Sequence, residues 1–283
     1  MRASAHVRRA QQWTAPHLER RRRGIAHPVT DFLFEYYPYS PGRLGTWHPG
    51  VGVVLEGAWQ PTSGFDAYVQ TRDGWRVDAT TVDHQRLDLA LRILVGTASR
   101  PAQHSCFGMH EWAMVHRSDP GDIRHNRRKL RLSIDGISDT VDDIGLRCTH
   151  IDAYRFFTAS AVGLNASQPT RASQPDDEQP GCLHANMDLF KYAMWFQSYV
   201  PGELVLDCFE LAWQARDVDM RASPYDLSDL GYTPIALETT EGRREYVAAQ
   251  EHVAFEASAL RERLIDALSR LQRMSNVRAL DSA

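Results

Sequence analysis

The chain has 283 residues, 43% hydrophobic and 24% charged, with a formal net charge of −4, a composition that fits a globular protein and excludes a disordered or fibrous one. No apolar run approaches the roughly 18–20 residues of a membrane span, and the arginines near the start precede no apolar stretch, so a soluble, cytoplasmic protein with no membrane partner is expected. Cys106, Cys148, Cys182 and Cys208 are scattered without a CxxC pair, which argues for reduced thiols rather than a zinc ribbon or a disulfide framework.

Residues 5–23 read as an exposed basic helix or arm closed by Gly24, with Arg20 to Arg23 as one positive cluster. Pro28, at a first helical position, opens the aromatic segment Val29 to Tyr37, expected to be buried. Val51 to Leu55 is a β-branched run, and Phe65 to Thr80 alternates around Asp73-Gly74, the signal of a hairpin turn. Asp83 to Val95 returns to helical spacing through Leu87, Leu91 and Leu94, and Cys106 to His116 is also read as helix. A second basic cluster follows, Arg124, Arg127, Arg128, Lys129 and Arg131, with strands expected at Leu130–Ile134 and Leu146–His150 around a short helical stretch.

Residues 158–182 are rich in Ala, Ser, Gln, Pro and Asp, and Pro169, Pro175 and Pro180 interrupt them, which predicts a mobile loop, either a junction or a lid. Helices are expected at His184–Tyr199, Pro201–Asp217 and from about Arg243 to Arg273, the last with Val253, Ala257, Leu260, Leu264, Leu268 and Leu271 on one stripe. The organisation predicted is a basic arm (1–24), an α+β half (25–157), a flexible loop (158–182) and a helical half (183–283), packed as one globular unit. The fold class is α+β, predominantly helical, with a small antiparallel sheet in the N-terminal half.

Chemistry is signalled by polar groups in apolar surroundings, because burying an imidazole or a carboxylate costs several kcal/mol unless it is partnered. Cys106-Phe107-Gly108-Met109-His110-Glu111-Trp112 is the clearest case. The pairing recurs at His150/Asp152 and at His184/Asp188, so three His/carboxylate pairs stand on separate segments. Asp31 and Glu35 are four residues apart beside Tyr36 and Tyr37, a setting that can raise one carboxyl pKa into a general acid–base range. His184 and Asp188 have the same spacing, which suits two ligands of one metal, although Lys191 continues that face as a solvated stripe would. Glu203, Asp207, Glu210, Gln214 and Asp217 follow the period of one exposed helix face, unless two helices turn their polar stripes inward around a metal pair. His150 and Asp152 alternate as on a strand and share a face with Arg155. In the polar turn from Asp219 to Leu227, Arg221 is placed to hold a carboxylate or phosphate, or to brace the turn. His48-Pro49-Gly50-Val51-Gly52 resembles a helix-hairpin-helix turn, but strand-forming residues follow it.

Trp13-Thr14-Ala15-Pro16-His17, the His27 to Phe34 and Cys106 to Trp112 runs, Cys148-Thr149-His150, the His184 to Leu189 run and Asp207-Cys208-Phe209-Glu210-Leu211 with the Asp219 to Leu227 turn carry a resemblance over nearly the whole chain. It resembles a group of actinobacterial proteins commonly labelled 3-methyladenine DNA glycosylase. The resemblance implies DNA as partner, no cofactor, and hydrolysis of the N-glycosidic bond of an alkylated base. That chemistry needs an extruded nucleotide stacked on aromatics and a carboxylate that stabilises the sugar cation. Under it Glu111 or Asp188 is the general base, with His110 and Glu35 as further catalytic groups. Tyr36, Tyr37, Trp112, His150, Asp152 and Arg221 would bind substrate. The alternative, of a different class, is a non-haem iron or manganese oxidase or oxygenase acting on a small molecule, its ligands drawn from His110, Glu111, His184, Asp188 and Glu210. A non-catalytic binding protein docked through the basic arm is the third reading.

Overall fold

The computed structural model describes residues 1–57, 65–119, 121, 123 and 128–281, with side chains to residue 276. Arg124 and Arg127 of the second basic cluster therefore lie outside the described residues. The fold is α+β and mainly helical, with 56% of residues in helices and 5% in a three-stranded antiparallel sheet. Among the described residues no helix is long and apolar enough to cross a membrane.

The chain forms two units built from interleaved segments rather than successive halves: Met1–Val95, Met187–Trp213 and Ala259–Ala283 make the first, Gly96–Asn186 and Gln214–Ser258 the second. The interleaving arises because the late helices each supply residues to both.

In the first unit, α1 (Arg2–Arg22) carries its arginines Arg20 to Arg22 in the last turn, where they complement the helix dipole. It is not a free arm. Arg9 Nε donates to Glu210 Oε1 at 2.8 Å, Arg9 also reaches Asp207 at 2.7 Å, and Trp13 Nε1 donates to Glu210 at 3.1 Å. Trp13 packs 4.9 Å from Trp213 and 5.9 Å from Phe209, ring centre to ring centre. Near the end of α1, Asp31 accepts from His17 Nδ1 at 2.8 Å, from Arg20 and from the His27 backbone N–H. Short helices α2 (Phe32–Glu35) and α3 (Pro41–Leu44) follow, the latter started by Ser40, whose Oγ accepts from Arg43 N–H. The sheet contains β1 (Val54–Leu55), β2 (Tyr68–Thr71) and β3 (Gly74–Val77) in the order β1-β3-β2. Its hairpin turns on Arg72 and Asp73; Gly74 has a φ of 137°, and a side chain there would strike the Leu55 carbonyl. Then comes α4 (His84–Ala98), as its spacing predicts.

The second unit holds the short helices α5 (His110–Ala113), α7 (Ile151–Tyr154), α8 (Ala159–Val162) and α9 (Gln174–Asp177), and α6 (Ile134–Ile144) capped by Ser133. The strands expected at 130–134 and 146–150 reduce to isolated bridges, Leu130 to Tyr225 and Leu146 to Asn165. Both runs find a single backbone partner rather than a neighbouring strand. Residues 158–182 are a tied-down segment rather than an open loop. Arg100 donates to the carbonyls of Pro175 and Glu178, Gln179 exchanges hydrogen bonds with the Gln103 backbone, and Asn165 bridges Cys148 and Ser167. Their prolines break helices without denying the backbone other partners.

Three long helices complete the chain: α10 (Leu183–Trp195), α11 (Gly202–Arg221) and α12 (Thr240–Asp281). On α12, Val253, Ala257, Leu264, Leu268 and Leu271 are buried as predicted, and Leu260 is partly so.

Candidate metal centre

The second unit gathers five polar side chains around α5. The approach to α5 is backbone-strained: Phe107 and Gly108 both have positive φ, 47° and 60°. Gly108 is required there, because a Cβ would stand 2.6 Å from the Tyr246 hydroxyl. That turn sets His110 and Glu111 at the head of a helix buried throughout.

His110 Nε2 lies 3.5 Å from Glu111 Oε1, and His110 Nδ1 lies 3.6 Å from Asp219 Oδ1. Asp219 comes from the last turn of α11 and Arg216 from the turn before it, and Arg216 Nη1 donates to Asp219 Oδ2 at 2.7 Å and to Glu111 Oε1 at 3.2 Å. His184, in the first turn of α10, brings its ring 4.2 Å from that of His110 in an edge-to-face arrangement and 5.5 Å from that of His150. One ligand atom each from His110, His184 and Asp219 lie within 4.8 Å of one another. Ligands held about 2.1 Å from one ion stand about 3–4 Å apart, so little movement would bring the three onto it.

Two buried carboxylates, Glu111 and Asp219, face one guanidinium, and both imidazoles are neutral unless they take a proton. Burial alone would lower the His110 pKa, but the charges of Asp219 and Glu111 outweigh it and the pKa rises. Burial pushes the Asp219 carboxyl up, against the pull of His110 and Arg216. His110 Nδ1 and Asp219 Oδ1 have no hydrogen-bond partner among the described residues, although buried polar atoms nearly always have one. His110 and the half-buried His184 also line a cavity of about 20 Å³, room for one water-sized occupant.

The other expected site residues are employed elsewhere. Glu35 is exposed, and Tyr36 stacks on Phe32 at 5.0 Å, so the Asp31/Glu35 pair does not form: Asp31 anchors α1 and Glu35 faces outward. Tyr37 donates from its hydroxyl to Asp188 Oδ1 at 2.9 Å, and Asp188 also pairs with Lys191, all within the first unit. Glu210 is held by Arg9 and Trp13. Trp112 is packing rather than a stacking platform, fully buried with its Nε1 donating to the Ala222 carbonyl at 2.8 Å. His150 is the residue before α7 rather than a strand position and lies 3.3 Å from Glu178. Asp152, inside α7, pairs with Arg171 and Arg155. Arg221 braces the chain through the Thr233 carbonyl and Glu245. Asp219 and Arg216 stand outside the candidate residues that the sequence pattern predicts. The available signal was their position on the apolar face of α11, off the polar stripe of Glu203 to Asp217.

Comparison with family models, curated proteins and solved structures found no match to this chain.

Proposed function

We propose that the chain is a metal-dependent enzyme of the non-haem iron or manganese class, an oxidase or oxygenase acting on a small molecule, with His110, His184 and Asp219 as ligands. The observation that carries this reading is the convergence of two imidazoles and one carboxylate, the ligand set of facial non-haem iron sites, with the buried His110 Nδ1 and Asp219 Oδ1 facing each other at 3.6 Å and neither making a hydrogen bond among the described residues. The ion would supply redox chemistry with dioxygen as oxidant. Glu111 and Arg216 form the outer layer: Arg216 holds both carboxylates in place and limits their charge.

Base excision from DNA draws less support from the geometry. The cavity at the cluster is far smaller than a flipped base requires. Several arginines of the basic clusters are engaged internally, Arg20 by Asp31, Arg128 by Asp229 and Arg131 by Glu238. Elemental analysis of protein purified anaerobically under reducing conditions tests the proposal. One iron or manganese per chain is expected, lost in His184→Ala and Asp219→Asn; metal-free protein that releases free base from alkylated duplex DNA would reverse the choice.

A further inference from the structure

The second unit also joins a serine, a histidine and an aspartate that the imidazole–carboxylate cluster does not use. Ser160 lies in the first turn of α8 with its Oγ 2.8 Å from His116 Nδ1, and His116 Nε2 lies 3.3 Å from Asp142 Oδ1 on α6. The histidine is fully buried, whereas Ser160 is exposed and the Asp142 side chain is 39% exposed. A neutral imidazole carries one proton. The carboxylate draws it to Nε2, which leaves Nδ1 as the acceptor for the Ser160 hydroxyl. Ser160 Oγ also stands 3.0 Å from the His116 carbonyl and from Thr158 Oγ1. That carbonyl already accepts from Thr158 at 3.0 Å, and the ring nitrogen is the shortest contact of the three. Arg117, the next residue, has a φ of 50°, a left-handed backbone uncommon outside glycine and concentrated at functional sites. Its N–H is held by Ser138 Oγ at 3.0 Å and its guanidinium by Asp142 at 2.8 Å. Ser160 and Arg117 line a surface cleft of about 490 Å³ whose wall also includes Met114 and Phe156.

We propose that Ser160, His116 and Asp142 form a second active site, a nucleophilic relay that hydrolyses small carboxylic esters with an apolar acyl group. The arrangement is that of the hydrolase triad, recognised by geometry and roles rather than by chain order, with the two ring nitrogens exchanged. Ser160 Oγ bonds to the ester carbonyl carbon as its proton passes to His116 Nδ1. The carbon–oxygen bond to the alcohol then breaks, and that proton leaves with the alcohol. Water attacks the acyl-serine in the same way and gives one proton to His116, and the acid departs as Ser160 regains its hydrogen. His116 handles the transferred proton and is catalytic; Asp142 acts through the ring and is a positioning residue. Met114 and Phe156 offer the acyl group an apolar wall, and Arg117 offers a cation for the charge developing on the carbonyl oxygen. The relay uses no metal, so this activity and the metal reading fail separately.

The test uses full-length protein, a fluorophosphonate probe and p-nitrophenyl acetate. The probe should label the wild-type protein at one site per chain, mapped to Ser160 by peptide mass spectrometry, at a rate that chelator does not change. Ser160→Ala, a change at an exposed position, should abolish labelling and lower ester turnover at least tenfold. Asp142→Asn should lower kcat at least tenfold with KM unchanged, a split that a purely structural role for an exposed aspartate would not produce. Circular dichroism verifies the fold of each variant. Absence of label from the folded wild-type protein, label on a residue other than Ser160, labelling abolished by chelator, or wild-type kcat in folded Asp142→Asn would each overturn the proposal.

Discussion

Arg216 and Asp219 are three residues apart on α11 and joined by a 2.7 Å hydrogen bond, with side chains 2% and 0% exposed. The same guanidinium nitrogen reaches Glu111, so one cation holds two buried carboxylates together. Removing one partner of a buried ion pair leaves an uncompensated charge, a loss of roughly 3–5 kcal/mol. Arg216→Met should lower stability by that order in urea unfolding. Adding Glu111→Gln should restore part of it, because one of the two orphaned charges then disappears. Additive losses would mean that Glu111 does not depend on Arg216.

The same cluster shows how much of the site the sequence exposed. His110 and Glu111 were legible because no regular polar face excuses them, and they are buried. His184 was legible only in company, since its apparent partner Asp188 belongs to Tyr37 and Lys191 instead. Asp219 was read as part of a turn because α11 was expected to stop at Asp217, whereas it runs to Arg221. Two further residues turn a surface aspartate into an inward one. The hairpin, α4 and the late helices were readable from period and turn chemistry. The helical stretch that became α6 was readable too, but the runs flanking it and the 158–182 region were not, because their order comes from long-range hydrogen bonds that leave no periodic trace.

His48 makes a separate prediction about pH. It is buried beside Phe65, with Nδ1 3.1 Å from the Tyr68 hydroxyl. Burial, with smaller contributions from His6 and Arg43, lowers its pKa to about 4, against about 6.5 in the unfolded chain. Between those values the unfolded state binds the extra proton, so stability is full above about pH 6.5 and falls as the pH drops toward 4. The maximum loss is roughly 3 kcal/mol. His48→Gln should flatten the urea-midpoint profile between pH 6.5 and 4 relative to wild type. An unchanged slope would show that His48 is not the group responsible.

Asp188 and Asp219 should behave oppositely, although both are buried aspartates on long helices. Asp188 accepts from Tyr37 at 2.9 Å, so Tyr37→Phe should cost roughly 1.5–3 kcal/mol, the range for a hydrogen bond to a charged group. Asp188→Asn should likewise destabilise while keeping bound iron or manganese, whereas Asp219→Asn should lose the metal. Metal loss in Asp188→Asn would return that residue to the ligand set.

Gly181 offers a test that alters no proposed ligand. It precedes Cys182 and α10, and its N–H donates to Gln179 Oε1 at 2.7 Å. A Cβ at this position would stand 2.9 Å from the Gln103 carbonyl carbon and backbone nitrogen. Backbone on the opposing side cannot swing away as a flexible side chain would, so the turn itself must move. Gly181→Ala should therefore cost roughly 1–3 kcal/mol, the usual range for overpacking, and should shift His184 and Cys182 together. The expected result is reduced iron or manganese content in a protein that remains folded, read by elemental analysis. If the variant folds and retains as much metal as wild type, the turn does not position His184.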